Sequence, residues 1–254
     1  MEKLLKKVEE AKFLGVIIDD RLSWKPHIAK LNKKLKSACG RLHRIKSCLP
    51  SHVHKELYHS LFESHLSFAI SVWGGVSANQ LDPIFRTQKK CLRIMFGDTE
   101  SYLDKFRTCV RARAFGAQKL GKEFYVKEPS KPLFKNHELL TVHNLYRYRC
   151  IMELFKIYKC KVPNPMVSIF SLSRQNENRF ITPSPSKNFS YKAPWLWNNF
   201  RKCMDSSSRF GFSEEESLVK SLLKQSILSA QNSNEDDWHS DNFIKFDSVN
   251  KVQK

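Results

Sequence analysis

One stretch of this sequence constrains the fold more than any other: residues 24–48 carry apolar side chains spaced alternately three and four residues apart. This spacing places them on one side of an α-helix as a continuous stripe. The stripe consists of Ile28, Leu31, Leu35, Ala38, Leu42, Ile45 and Leu49. The other faces of the predicted helix carry Lys30, Lys33, Lys34, Lys36, Arg41, Arg44 and Lys46. The sequence therefore predicts a helix that buries one side and presents positive charge on the others.

The charge of this helix has no acidic counterpart nearby, because no aspartate or glutamate occurs between Asp20 and Glu56. A solvated helix face ordinarily mixes signs, since oppositely charged residues four apart stabilise a helix and like charges destabilise it. Bound phosphates therefore explain the basic face better than the alternative, a face that is merely solvated. The formal net charge of +19 over 254 residues also predicts attraction to polyanions, with nucleic acid favoured over an anionic membrane surface.

Two more helices are predicted directly after the first. Residues 51–73 show helical apolar spacing, with Phe68 inward, and end at Gly74-Gly75, whereas residues 79–96 end at Gly97. Short connections between the three helices predict a compact antiparallel bundle. A second basic stripe on the third helix consists of Arg86, Lys90 and Arg93.

A short β element is expected before the bundle. Residues 8–18 have strand-like apolar spacing, and Asp19-Asp20-Arg21 supplies a turn after them. Ser23 is then the expected cap of the first helix, with Pro26 in the first turn, where its missing N–H does no harm.

The predicted fold class is mainly α: a basic helical bundle with a short N-terminal β-strand or hairpin and an irregular C-terminal arm. Helices are expected at 141–160 and 214–229, and the arm at 171–211 contains the apolar run APWLWN. We divide the chain into residues 1–22 for the β element, 23–97 for the bundle, 98–170 for a basic and aromatic loop and helix, 171–229 for the arm and final helix, and 230–254 for a disordered polar tail.

Several runs of this chain resemble a known family. The run KVEEAKFLGVIIDDRLSWKPHIAKL, which ends at Leu31, resembles the segment that follows the palm in jockey- and CR1-like non-LTR (LINE-type) retrotransposon reverse transcriptases. Three later runs match the C-terminal layout of that group: QKKCLRIMFG at 88–97, KPLFKNHELLTVHNLYRY at 131–148, and APWLWN. The similarity covers roughly residues 6–228, and the FLGVxxDxxLxW pattern is its most specific part.

The resemblance implies roles for particular residues. Phe13, Leu14 and Gly15 fall in the primer grip, a hairpin that holds the growing 3′ end, and the helices after it form a thumb over the template–primer duplex. Polymerase chemistry needs metal-bound carboxylates on the palm. The family supplies these from an upstream aspartate and an aromatic-Ala-Asp-Asp turn, and neither segment is present in this sequence. Asp19-Asp20 follows Ile17-Ile18 and falls in the turn of the grip, so we predict no catalytic residue.

We therefore expect a palm-less fragment of an RNA-directed DNA polymerase that binds RNA or an RNA–DNA hybrid non-specifically and is not an enzyme on its own. The missing palm and endonuclease domains are its implied protein partners. The expected contacts are Lys30, Lys33, Lys34, Arg41, Arg44, Arg86, Lys90 and Arg93, with Phe13, Leu14 and Gly15 as the grip. The alternatives are a helical protein–protein interaction module that uses the APWLWN box, a relic without function, and residual polymerase chemistry.

Metal binding and membrane insertion are not expected. His52, His54, His59 and His65 cluster near Cys48, but they lack the spacing of a closed four-ligand zinc shell, so we predict neither metal nor cofactor. The seven cysteines are an odd number without a C-x-x-C pair, which favours a reducing compartment, nuclear or cytoplasmic, over secretion. The most apolar run, residues 57–73, is too polar and too short to span a bilayer.

Overall fold

A computed structural model describes residues 8–97, 130–159, 170, 172–173, 176–182, 189–206 and 216–233, most of which are helical. The first part contains β1 (Glu10–Phe13), β2 (Val16–Asp19), α1 (Lys25–Ile45), α2 (His54–Tyr58), α3 (Ser64–Ser67), α4 (Ile70–Trp73) and α5 (Ala78–Phe96). The second contains α6 (Lys131–Asn136), α7 (Val142–Tyr158), β3 (Leu172–Ser173), β4 (Asn176–Phe180), α8 (Phe189–Ser206) and α9 (Glu216–Ser233). The predicted mainly α class with a short N-terminal hairpin is confirmed.

The hairpin is tight and turns earlier than the sequence suggested. β1 pairs antiparallel with β2, and Phe13 lies opposite Val16. Only Leu14 and Gly15 connect the strands, with φ angles of 45° and 89°. Positive φ at both central residues characterises the two-residue turn whose twist matches that of the flanking strands. The segment predicted as one strand over 8–18 is therefore two strands. Of the three grip-like residues, Phe13 ends β1, and Leu14 and Gly15 form the turn.

The start of α1 is held by Asp19 and not by the cap that the sequence predicted. Trp24 occupies the position before the helix, with φ 62° and no side-chain cap. The Asp19 carboxylate accepts hydrogen bonds from the backbone N–H groups of Ser23 and Trp24, each at 2.9 Å. Pro26 lies in the first turn, as expected. The strand end and the helix start are thus joined by one buried carboxylate.

The bundle runs up, down and up. α1 and α5 lie side by side and run in the same direction. Gln80 donates to the Ser23 carbonyl at 3.2 Å, and further along both helices the Thr87 hydroxyl donates to the Asn32 side chain at 2.7 Å. The segment 51–73 returns between them. The predicted stripe of α1 is buried from Ile28 to Leu42, but Leu49 is 38% exposed because the α-helix ends at Ile45.

The returning segment is not the continuous helix that its apolar spacing predicted. A π-helical turn over residues 59–63 separates α2 from α3. The helix is then interrupted at Phe68 and Ala69, where Ala69 has a φ of 50°. The indole N–H of Trp73 donates to the Phe68 carbonyl at 2.9 Å, which compensates for the helical hydrogen bond lost at the break. Phe68 was expected to point inward, and the break leaves it 54% exposed.

The second part of the chain also corrects a prediction. The segment 171–211 was expected to be irregular, but α8 runs through its second half and β3 pairs with β4 in its first. Ala193, Leu196, Trp197 and Phe200 are buried, and Trp197 packs against Phe155 of α7 and Phe180 of β4. Burying one large apolar side chain contributes about 1.5–3 kcal/mol, so Leu196, Trp197 and Phe200 together outweigh the roughly 3 kcal/mol cost of Pro194 inside the helix.

Two buried glutamines hold the segment between α6 and α7. Gln88 donates to the Leu140 carbonyl at 2.9 Å and to the Tyr58 hydroxyl at 3.0 Å, and it accepts from the Val142 N–H at 2.9 Å. Gln231 of α9 accepts from the Thr141 N–H at 3.2 Å and from the Asn144 amide at 2.8 Å, and it donates to the Leu139 carbonyl at 3.1 Å. Helices from both parts of the sequence therefore fix one short segment.

Some predictions fall outside the described residues. They are the basic and aromatic loop over 98–129, the start of the last predicted helix at 214–215, and the tail from residue 234 onward. Among the helices that the structure describes, none is long and apolar enough to cross a membrane.

Candidate nucleic-acid interface

The exposed face of α1 carries the first predicted set of contacts. Lys30, Lys34 and Arg41 follow one another along this face, and Lys33 and Arg44 lie beside them; all five are exposed. At 1.5 Å of rise per residue, the face from Lys30 to Arg44 is about 20 Å long. None of the five forms an ion pair with a carboxylate anywhere in the described ranges. The structure thus brings these five predicted residues onto one uncompensated basic surface, which we call the α1 face.

The second predicted set, on α5, carries less uncompensated charge. Arg86 forms an ion pair with Asp82, one turn earlier on the same helix. Lys90 is exposed, whereas Arg93 is half-buried. The α5 residues lie on one side of their helix as predicted, but Asp82 lies on that side too and neutralises part of their charge. The α1 face is therefore the stronger candidate for phosphate contacts.

A cleft of about 260 Å³ lies where the hairpin turn meets the first turns of α1. Its lining residues are Leu14, Gly15, His27, Lys30, Leu31, Lys34, His65 and Phe68. Two of the three grip-like residues thus lie in one cleft with two of the predicted lysines. Phe13, the third, is 63% exposed on β1 and is not part of the lining.

The lining of this cleft combines apolar surface with positive charge. Leu14 is 78% exposed and Phe68 is 54% exposed, although both are large apolar side chains. The lysines Lys30 and Lys34 lie one helical turn apart next to them. An aromatic ring beside ammonium groups suits an unpaired base and its phosphate, because bases stack on aromatic faces while cations hold the backbone. The apolar spacing of Phe68 signals burial, and only the helix break exposes it, so Phe68 is not among the contacts expected from the sequence.

Two residues at the cleft hold strained backbone conformations. Leu14 has φ 45°, and Ala69, next to Phe68, has φ 50°. A left-handed conformation costs a non-glycine residue roughly 1–2 kcal/mol. Such strain persists where the surrounding structure enforces it, and it concentrates at functional sites.

Replacing Leu14 with asparagine is expected to stabilise the chain by about 1 kcal/mol, because Asn-Gly is a favoured pair for this turn. The same change removes the most exposed apolar side chain of the cleft, so we expect weaker binding of an RNA–DNA hybrid despite the greater stability. Urea unfolding and hybrid binding measured on the same preparation test both effects. A variant that is less stable than the parent would show that Leu14 is not strained.

His27 lies at the inner side of the cleft and is only 6% exposed. Its Nδ1 accepts a hydrogen bond from the Ile17 N–H at 3.3 Å, and its ring lies 5.5 Å from the Trp73 ring. Burial, with Lys34 and Lys30 adding to it, lowers the pKa of His27. His27 is therefore neutral near pH 7, and its Nε2 carries the proton.

Stability is expected to fall as the pH drops through the ordinary histidine pKa of 6.5. The unfolded chain takes up the proton at that pH, whereas folded His27 resists it, so the contribution of His27 is full above 6.5 and is lost below it. Chemical unfolding between pH 7.5 and 5 checks this. His27→Phe should be less stable at pH 7.5, because the Ile17 N–H loses its acceptor, yet its stability should depend less on pH. An unchanged pH dependence in that variant would contradict the assignment.

Other candidate groups have structural partners. The Asp19 carboxylate is 8% exposed; burial opposes its ionisation, but hydrogen bonds from Ser23 and Trp24 outweigh burial and lower its pKa. His54 Nε2 lies 3.3 Å from the Lys46 carbonyl and 3.2 Å from the Leu49 carbonyl, and His59 bonds Glu63 at 2.8 Å. Across the described ranges, no three histidine, cysteine or acidic side chains are grouped so that they could hold a metal ion.

Comparisons with protein-family models, with curated proteins and with solved structures find no match for this chain.

Proposed function

We propose that this chain binds RNA or an RNA–DNA duplex through backbone phosphates, as the primer-grip and thumb portion of a non-LTR retrotransposon reverse transcriptase. The observation that carries the proposal is the α1 face. Its five exposed cations lack carboxylate partners among the described residues, and the face adjoins a cleft that contains the turn of the grip-like hairpin.

Binding of this kind is independent of base sequence. A nucleic acid duplex presents roughly one negative charge for every 1.7 Å of its axis, so every register along a duplex offers phosphates to the α1 face. Contacts to phosphates fix position without identifying bases. The lining of the cleft adds one place where an unpaired end could stack, on Phe68.

The chain is not expected to polymerise DNA on its own. Asp19 uses both carboxylate oxygens to hold the start of α1, which leaves it unsuited to bind a catalytic metal. The resemblance implies that a palm and an endonuclease domain are the protein partners. Primer-extension assays with Mg²⁺ should give no product from the chain alone, and extension by the pure chain would refute this point.

An interaction module built on the APWLWN box finds less support. Ala193, Leu196 and Trp197 are at most 2% exposed and pack within the chain. The box is thus part of a core, and a protein partner would need another surface.

Fluorescence anisotropy with a labelled RNA–DNA hybrid, measured over a salt series, tests the proposal. About five phosphate contacts predict that the logarithm of the affinity falls with the logarithm of salt concentration with a slope of roughly −4 to −5. Hybrids of unrelated sequence should bind equally. Binding that is absent, or that does not respond to salt, would exclude the proposed function.

A further inference from the structure

The cleft beside the α1 face suits a ligand that is both acidic and aromatic. Leu14 and Phe68, 78% and 54% exposed, offer apolar surface in the same cleft that Lys30 and Lys34 line. At the inner side, His27 Nε2 is buried and finds no hydrogen-bond partner within the described residues. A buried polar group that lacks a partner is unfavourable, and an acceptor in the cleft would relieve this.

The sequence contains one segment with the complementary chemistry. Residues 235–247 hold five acids, Glu235, Asp236, Asp237, Asp241 and Asp247, against Lys245, which gives a net charge of −4. The same thirteen residues include Trp238, Phe243, Ile244 and Phe246. By contrast, residues 21–55, which contain the α1 face, hold no acid at all. Acidic and aromatic side chains thus occur together in the segment that follows α9.

A series of contacting residues connects the end of α9, which precedes this segment, to the cleft. Near the end of α9, Gln231 bonds Asn144 of α7 at 2.8 Å. Two residues further along α7, the Tyr146 ring packs so closely on Gly74 that a Cβ there would lie 2.7 Å from it. The neighbouring Trp73 contacts His27 in the cleft.

The length of the segment sets how far it can extend from the end of α9. Twelve residues separate Ser233, the end of α9, from Phe246. At about 3.3 Å per extended residue they can span up to about 40 Å, which is about twice the length of the α1 face.

We propose that residues 235–247 dock on the cleft, with aromatic side chains against Leu14 and Phe68 and carboxylates near Lys30 and Lys34, and that they compete there with nucleic acid. The competition rests on the proposed function, whereas the docking does not. When a segment of the same chain occupies the cleft, nucleic acid can bind only to molecules whose cleft is free. The apparent affinity for nucleic acid is then the intrinsic affinity multiplied by the fraction of molecules with a free cleft. A segment docked for most of the time therefore weakens hybrid binding about three- to tenfold.

The test uses the full chain and a variant that keeps its charge, Trp238→Ala/Phe243→Ala/Phe246→Ala. Without nucleic acid, hydrogen exchange at residues 9–18 and 61–72 is expected to be faster in this variant than in the parent chain. Hybrid affinity should rise about three- to tenfold. The matched control Ser240→Ala/Asn242→Ala/Ser248→Ala, with two changes inside the segment and one directly after it, should change neither quantity. Phe68→Ser, at an exposed position, should reproduce the faster exchange.

The outcomes separate the two proposals. Equal exchange in the parent chain and the aromatic-to-alanine variant would overturn the docking even if the hybrid binds with the expected salt dependence. Faster exchange in the variant, together with no hybrid binding by any form, would support the docking and reject the proposed function. Equal gains in affinity from the aromatic and the control variants would also count against the docking.

Discussion

Exchanging the three lysines of the first half of the α1 face for glutamate, Lys30→Glu/Lys33→Glu/Lys34→Glu, should weaken hybrid binding about 100-fold at 0.15 M salt. Counterion release makes each phosphate contact worth about fivefold at that concentration, and three contacts multiply. The slope of the salt dependence should also become shallower by roughly one for each lost contact. All three side chains are exposed, so we expect the variant to fold normally. Anisotropy over the same salt series, with circular dichroism on each sample, measures both effects.

A matched variant separates a local effect from one of net charge. Lys135→Glu/Lys202→Glu/Lys224→Glu changes the net charge by the same amount, but its residues lie on α6, α8 and α9. It should lose far less affinity and keep most of its salt slope. Equal losses in the two variants would mean that binding follows overall charge, and the α1 face would then have no special role.

The largest effect on stability is expected from Gln88→Met. Gln88 is fully buried, and methionine of similar size leaves the Tyr58 hydroxyl, the Leu140 carbonyl and the Val142 N–H without their partner. An unsatisfied buried group costs about 1–3 kcal/mol, so a loss of roughly 3–5 kcal/mol in the free energy of unfolding follows. That loss corresponds to a fall of about 10 °C in Tm for a chain of this size.

Gln80→Met is the appropriate control, because Gln80 is half-buried and makes a similar bond to the Ser23 carbonyl at 3.2 Å. Water can replace that bond, so the loss should stay near 1 kcal/mol or below. Thermal and urea unfolding of both variants decide the matter. Similar losses at the two positions would show that the buried amide network contributes little beyond ordinary hydrogen bonds.

The helices predicted near 24–48, 79–96, 141–160 and 214–229 lie within a few residues of the observed ones, because their apolar side chains recur regularly over several turns. The failures have identifiable causes. Phe68 fits the apolar spacing of its segment, and the break beside it depends on Trp73 and on packing with distant residues. α8 was missed because proline and polar residues indicate irregular chain, whereas burial of Trp197 decides its structure. The hairpin turn uses Leu-Gly in place of the Asn-Gly pair that signals such turns.

The candidate site was predictable only in part. Helical spacing alone puts Lys30, Lys34 and Arg41 on one face, and the absence of acids nearby is visible in the sequence. The cleft is formed by the hairpin, α1 and the end of α3, three segments whose proximity no local pattern reveals. The ion pair of Arg86 with Asp82 was open to prediction from their four-residue separation, and it reduces the charge expected from the second stripe.

The shared direction of α1 and α5 affects the rate at which a nucleic acid associates with the chain. Aligned peptide dipoles place about half a positive charge at the N-terminus of each helix. The bond from Gln80 to Ser23 puts both N-termini at one end of the bundle, the end where the hairpin lies. An approaching phosphate strand should therefore meet this end first and then settle along α1. Salt near 0.1 M screens charges beyond about 10 Å, so added salt should slow association before it hastens dissociation.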